Sequence, residues 1–79
     1  MKKIVTLHYY GELEDVAKKK QEIIRTDSKI IRELYSELVK RYSFSFQLES
    51  LRFLLNEFDV SPRSEFRTHD HIAIIPLLH

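Results

Sequence analysis

The chain has 79 residues, of which 43% are hydrophobic, 32% charged and 11% aromatic, and its formal charge is +1. A second hydrophobic core would need roughly 50 more residues, so residues 1–79 are expected to form one domain with little room for a deep catalytic pocket. With 13 basic and 12 acidic side chains, no Cys, 1 Gly and 2 Pro, the composition excludes a net field for nucleic acid or an anionic bilayer, a disulfide or thiolate-zinc scaffold, a cysteine nucleophile and a Gly-rich phosphate loop.

Met1-Lys2-Lys3 followed by Ile4-Val5-Thr6-Leu7 opens like a signal peptide. The apolar run is too short, and His8 and the polar stretch from Glu12 interrupt it. No window approaches the roughly 20 apolar residues of a membrane span, so a cytoplasmic location with no membrane partner is expected. Residues 3–10 are rich in β-branched and aromatic types and predict a first strand. Its two faces are Ile4/Thr6/His8/Tyr10 and Val5/Leu7/Tyr9, and the pattern does not decide which is buried. Gly11 stands where that strand should end, a natural place for positive φ.

Glu12–Lys20 is charged and reads as a connecting loop, with Lys18-Lys19-Lys20 a solvated run rather than a phosphate contact. Gln21–Arg25 predicts a second strand. Thr26-Asp27-Ser28 are all residues that cap helices, and Ile31, Leu34, Tyr35, Leu38 and Tyr42 then recur at helical spacing. Ile30 and Val39 widen the stripe, and charged residues fill the opposite side. One amphipathic helix over about 28–42, lying on a sheet, follows.

Ser43–Ser50 is expected to be an irregular return loop pinned by Phe44 and Phe46. Leu51–Asn56 predicts a third strand. Glu57–Thr68 reads as a long surface connection anchored by Val60 and Phe66. His71–Pro76 is a continuous apolar run, the pattern of a strand buried in the middle of a sheet. A last strand of that kind belongs beside the first and parallel to it, with the helix in the crossover. The expected fold is α+β: a ubiquitin-like β-grasp domain with a mixed sheet of four to five strands and one main helix.

Three segments then resemble the MoaD/ThiS-type ubiquitin-like sulfur carriers, most of all the small subunit of molybdopterin synthase. Tyr10-Gly11-Glu12-Leu13-Glu14-Asp15-Val16-Ala17 is similar to that family's Phe-Gly-x-Leu-Arg-Glu-hydrophobic-Ala stretch. Leu51–Glu57 resembles its third strand ending in Asn-Gly or Asn-Glu. Thr68–Pro76 resembles its Asp-Gly-Asp-Glu-Val-Ala-hydrophobic-hydrophobic-Pro segment. The sequence departs from the pattern at Glu14 (usually Arg), His69 (a turn Gly), His71 (an acidic residue) and Leu77 (a second Pro). Aligned from Pro76, the tail Pro76-Leu77-Leu78-His79 reaches only to where the family's two closing glycines begin.

The resemblance implies a non-catalytic carrier in molybdenum cofactor biosynthesis. Its C-terminal carboxylate would be adenylated by an ATP-dependent activating enzyme and converted to a thiocarboxylate. It would then be presented to the large subunit of molybdopterin synthase, with Pro76, Leu77, Leu78 and His79 as the docking tail. Because the two glycines are not in this sequence, two expectations stand: a carrier whose tail continues, or a ubiquitin-like protein-binding module that has lost the thiocarboxylate chemistry. In both, the uncovered face of the sheet is a protein interface.

No catalytic constellation, cofactor site or metal site is expected. His69 and His71 lie on one face of an extended segment but have no third ligand at fixed spacing, so a solvated turn is the expected role. His8 has no nucleophile or carboxylate placed for it by spacing, and Asn56 is expected to form a turn at a strand end.

Overall fold

Burial along the first strand decides which side of the sheet becomes the core. Val5, Leu7 and Tyr9 are buried, while Ile4 and Tyr10 are exposed, so alternate residues of one strand face opposite environments. In the computed structural model, which describes residues 2–77, the elements in chain order are β1 (Lys3–Tyr9), α1 (Glu12–Ala17), β2 (Gln21–Thr26), α2 (Ile31–Tyr42), a turn of 3-10 helix (Leu48–Ser50), β3 (Leu51–Leu55), β4 (Phe58–Val60) and β5 (His71–Pro76). They form one 5-stranded sheet in the order β2-β1-β5-β3-β4. β1 and β5 are parallel, with Leu7 opposite Ile72 and Tyr9 opposite Ile74. The other neighbouring pairs are antiparallel. This is the expected β-grasp arrangement, with the most apolar strand at the centre.

Helix α2 places Ile31, Leu34, Tyr35 and Leu38 in the core against Val5, Leu7, Phe53, Ile72 and Ile74. Burying each of these aliphatic side chains contributes about 1.5–3 kcal/mol. Tyr35 sits at the centre of an aromatic group: its ring stacks on Phe44 at 6.2 Å and meets Phe53 edge-on at 6.1 Å. Its hydroxyl donates to the Phe46 carbonyl at 2.7 Å. The two Phe residues thus pin the return loop as expected.

The helix begins at Ile31 rather than near 28. Its first amide groups find partners outside the helix: Ile31 N–H donates to Ser64 O at 3.0 Å and Arg32 N–H to Pro62 O at 2.7 Å. These loop carbonyls satisfy donors that a helix start leaves open, and Thr26 and Ser28 are released for another task. Both of their hydroxyls donate to the Glu37 carboxylate on the next turns of α2.

Two expected loops contain regular structure. Glu12–Ala17 is a short helix whose Leu13 and Ala17, one turn apart, are buried. Glu12, Glu14 and Asp15 lie in its first turn, where negative charge is favourable. The expected Glu57–Thr68 connection opens with β4, paired to β3 through Leu55–Phe58 and Phe53–Val60. The link between them is the two-residue turn Asn56-Glu57, with φ of 51° and 75°, the backbone that a tight hairpin requires at both central positions. Phe66 is the buried anchor of the remaining connection.

Gly11 has φ 59° and ψ −134°, a conformation open to glycine alone. A Cβ there would meet the Pro76 ring carbon Cγ at 2.9 Å, so the end of β5 packs where only a glycine leaves room. Among the described residues no helix is long and apolar enough to cross a membrane.

Candidate functional site

Both helices lie on the side of Val5, Leu7 and Ile72, so among the described residues no helix covers the opposite face of the sheet. Cross-strand pairing fixes what it presents. Ile23 lies opposite Thr6, which lies opposite His71; Gln21 lies opposite His8, which lies opposite Ala73, which lies opposite Leu54. The face carries apolar side chains at its centre and along the β2 edge, with Ile23 70% exposed and Tyr10 49% exposed. The charged strand residues of this face, Arg25, Arg52 and Asp59, lie on β2, β3 and β4 and not on β1 or β5. Arg25 faces Ile4, and Arg52 pairs with Asp59 at 2.6 Å, an exposed ion pair that contributes at most about 1 kcal/mol.

An open hollow occupies the middle of this face, lined by His8, Tyr10, Leu54, Asn56, Glu57, His71 and Ala73. His8 Nε2 and His71 Nδ1 are 2.9 Å apart, and the ring centres are 5.2 Å apart with 23° between the planes. A centre separation this large for so short a nitrogen contact means that the two nitrogens point at each other along the line joining the rings. One nitrogen donates and the other accepts, so the contact is an edge-to-edge hydrogen bond. Partial burial, and then the charge of His71, hold the His8 imidazole below its ordinary value of 6.5. Neither histidine takes part in the ion pairs among the described residues.

Asn56 does more than turn the chain. Its side-chain oxygen accepts from His71 N–H at 2.9 Å, its amide donates to Asp70 at 3.0 Å, and its backbone N–H donates to His71 O at 2.8 Å. The hairpin between β3 and β4 is thereby tied to the start of β5, which sets the backbone under His71. Asp70 closes the preceding turn by accepting from Arg67 N–H at 2.7 Å, and His69 occupies that turn with φ 74°. His69 is therefore a turn residue as expected, while His71 has a partner in His8 that sequence spacing does not reveal. The signal would have been the register: parallel pairing of the first and last strands puts positions 8 and 71 on one face, two residues out of step.

The expected docking tail divides. Pro76 lies opposite Leu51 at the end of β5 and is half-buried. The Leu77 N–H donates to Ser50 O at 2.9 Å, while its side chain is 42% exposed. Leu78 and His79 lie outside the described residues. The lysine run is held by local contacts: Lys18 ends α1 in the left-handed conformation, and Lys19 pairs with Glu22 at 3.5 Å and lies 5.6 Å from the centre of the Tyr42 ring. Among the described residues no three His, Cys, Asp or Glu side chains converge as a metal site.

No protein-family model and no curated protein matches the chain. Solved structures do match it in fold. Small archaeal modifier protein 1 of Haloferax volcanii superposes with a TM-score of 0.82 at 14% identity, over 96% of this chain and 99% of that one. A Pyrococcus furiosus protein provisionally assigned as subunit 1 of molybdopterin converting factor gives 0.79 at 19% identity, over 96% and 99%. The complex of subunits 1 and 2 of molybdopterin-converting factor from Helicobacter pylori gives 0.67 at 17% identity, over 96% of each chain. At these identities the likeness is one of fold: the chain has the ubiquitin-like β-grasp architecture that these proteins share.

Proposed function

We propose that this protein is a ubiquitin-like protein-binding module that docks a partner protein through the open face of its sheet. The observation that carries the reading is Ile23, 70% exposed on an edge strand beside a central hollow lined by Tyr10, Leu54 and Ala73. In a chain this small, apolar side chains gathered on the one sheet face that no helix covers are best explained by a partner that covers them. The test compares wild type with Ile23→Asp and Leu54→Asp in affinity purification from the source cells. The reading expects a stoichiometric partner that both face variants lose. A partner retained by both variants at wild-type yield would reject it.

A second reading is favoured by the resemblance of the Tyr10–Ala17 and Thr68–Pro76 segments to sulfur carriers, and by the fold shared with the Helicobacter pylori complex. In it the module is a sulfur-carrier small subunit of molybdopterin synthase, acting in molybdenum cofactor biosynthesis. It would dock on the large subunit and be charged by an ATP-dependent activating enzyme. Pro76, Leu77, Leu78 and His79 would then lead the chain toward the partner's active site. The intact mass of the protein from its native cells separates the two readings. Two added glycines, or an oxygen-to-sulfur exchange at the terminal carboxylate, would establish the carrier. An unmodified mass ending at His79 leaves the binding module.

A further inference from the structure

The His8–His71 pair has no task in either reading of the docking face. Apart from each other, neither ring nitrogen pair has a hydrogen-bond partner on the described residues. A single N–H proton joins the two rings: one nitrogen donates it and the lone pair of the other accepts it. β1 and β5 are the central, parallel strands of the sheet, so the two Cα positions are fixed by the most extensively paired part of the backbone. The rings themselves stand toward the hollow that also admits solvent.

From this geometry we infer that His8 and His71 form a two-imidazole binding site for a late first-row transition-metal ion, with Cu2+ the preferred occupant. Imidazole nitrogens suit copper, nickel and zinc, and copper(II) stands highest in the affinity order for such donors. The 2.9 Å between His8 Nε2 and His71 Nδ1 is their hydrogen bond; it shows that the two rings, on adjacent strands, lie close enough for ring rotation to aim both nitrogens at one ion at bond lengths of about 2.0–2.1 Å. Both rings turn toward the hollow to bring their lone pairs onto the ion.

The donating imidazole moves its proton to its other ring nitrogen, so the neutral pair binds without net proton release. No third His, Cys, Asp or Glu joins the pair among the described residues, so water fills the remaining positions. The site lies within the docking face, so it is open to an ion in the undocked protein.

The test titrates the full chain with Cu2+ alone, following the d–d absorption and nitrogen hyperfine structure in the electron paramagnetic resonance spectrum. One ion per chain with nitrogen ligation is expected. His8→Asn and His71→Asn should each weaken binding by about 100-fold, because each removes the second arm of a chelate; His69→Asn should leave it unchanged. Far-UV circular dichroism checks that the variants are folded. Cu2+-induced broadening in the wild-type amide NMR spectrum gives an independent map, expected to centre on residues 8 and 71. Equal affinity in the His8→Asn/His71→Asn double variant, broadening centred elsewhere, or no stoichiometric binding by the wild type would overturn the inference.

Discussion

Two tyrosine hydroxyls, from Tyr9 on β1 and Tyr42 on α2, donate to the same Glu22 Oε2 at 2.5 and 2.6 Å, so one carboxylate on the edge strand holds the helix and the first strand together. Burial pushes the Glu22 carboxyl up, but the hydroxyls of Tyr42 and Tyr9 and the Lys19 ammonium outweigh it and leave it below its ordinary value of 4.5. The same contact, after burial, raises the Tyr9 phenol far above its ordinary value. A carboxylate depressed in the folded state contributes stability above its unfolded value, and that contribution is lost as pH falls through the folded one. Glu22→Ala is expected to lower unfolding free energy by about 1–3 kcal/mol at neutral pH, since it strands two half-buried hydroxyls, and the loss should shrink below pH 4.5; urea melts at both pH values check it. His8 has the opposite charge type. Its folded value is lowered from 6.5, so the unfolded chain takes up the proton first as pH falls and stability drops on the acid side of 6.5. His71→Ala leaves the larger effect of burial in place but removes the neighbouring imidazole's charge, so the urea midpoint should become somewhat less sensitive to pH between neutral and mildly acid conditions.

At the scale of elements, the turn Asn56-Glu57 places both central residues at positive φ, yet only Asn is at ease there. Glu57→Gly should raise stability by up to about 1 kcal/mol by relieving the left-handed backbone of a residue with a Cβ; thermal or urea unfolding checks it. The same turn explains what the sequence concealed. Asn-Glu lacks the Gly that marks a tight hairpin, so Phe58–Val60 reads as the start of a loop. α1 was hidden for a related reason: Leu13 and Ala17 are one turn apart, but so many charged neighbours surround them that the two-residue stripe does not register as helical. The long α2 stripe, the β-branched and aromatic run of β1 and the apolar run of β5 were all legible from local pattern. Which β1 face points inward was not, since Ile4 and Tyr10 give the outer set apolar members of its own. The candidate site depends on that choice and on strand register, both settled by tertiary packing rather than by local pattern.

For the whole molecule, the pairing of β1 with β5 means that residues near the two ends of the sequence form the centre of the sheet. Amide hydrogen exchange should therefore be slowest at Val5, Leu7, Ile72 and Ile74, all at or below 1% exposure, and should require global opening, whereas β4 and α1 should exchange through local opening. Exchange of β5 amides as fast as those of β4 would contradict this. A fold organised this way cannot shed its last strand without losing its core, and the open face is built on the same two strands. Docking competence and global stability are therefore expected to fail together in variants of β1 and β5, and separately in variants confined to Ile23 or Leu77.

The shared carboxylate of Tyr9 and Tyr42 also makes the protein its own optical reporter. The chain has 4 Tyr and no Trp, so its ultraviolet emission is tyrosine emission. An excited phenol is a far stronger acid than one in the ground state and gives its proton readily to a carboxylate hydrogen-bonded to it, which quenches the light. Half of the tyrosines are thus expected to be dark while Glu22 holds them, and separating α2 from β1 is expected to brighten the chain.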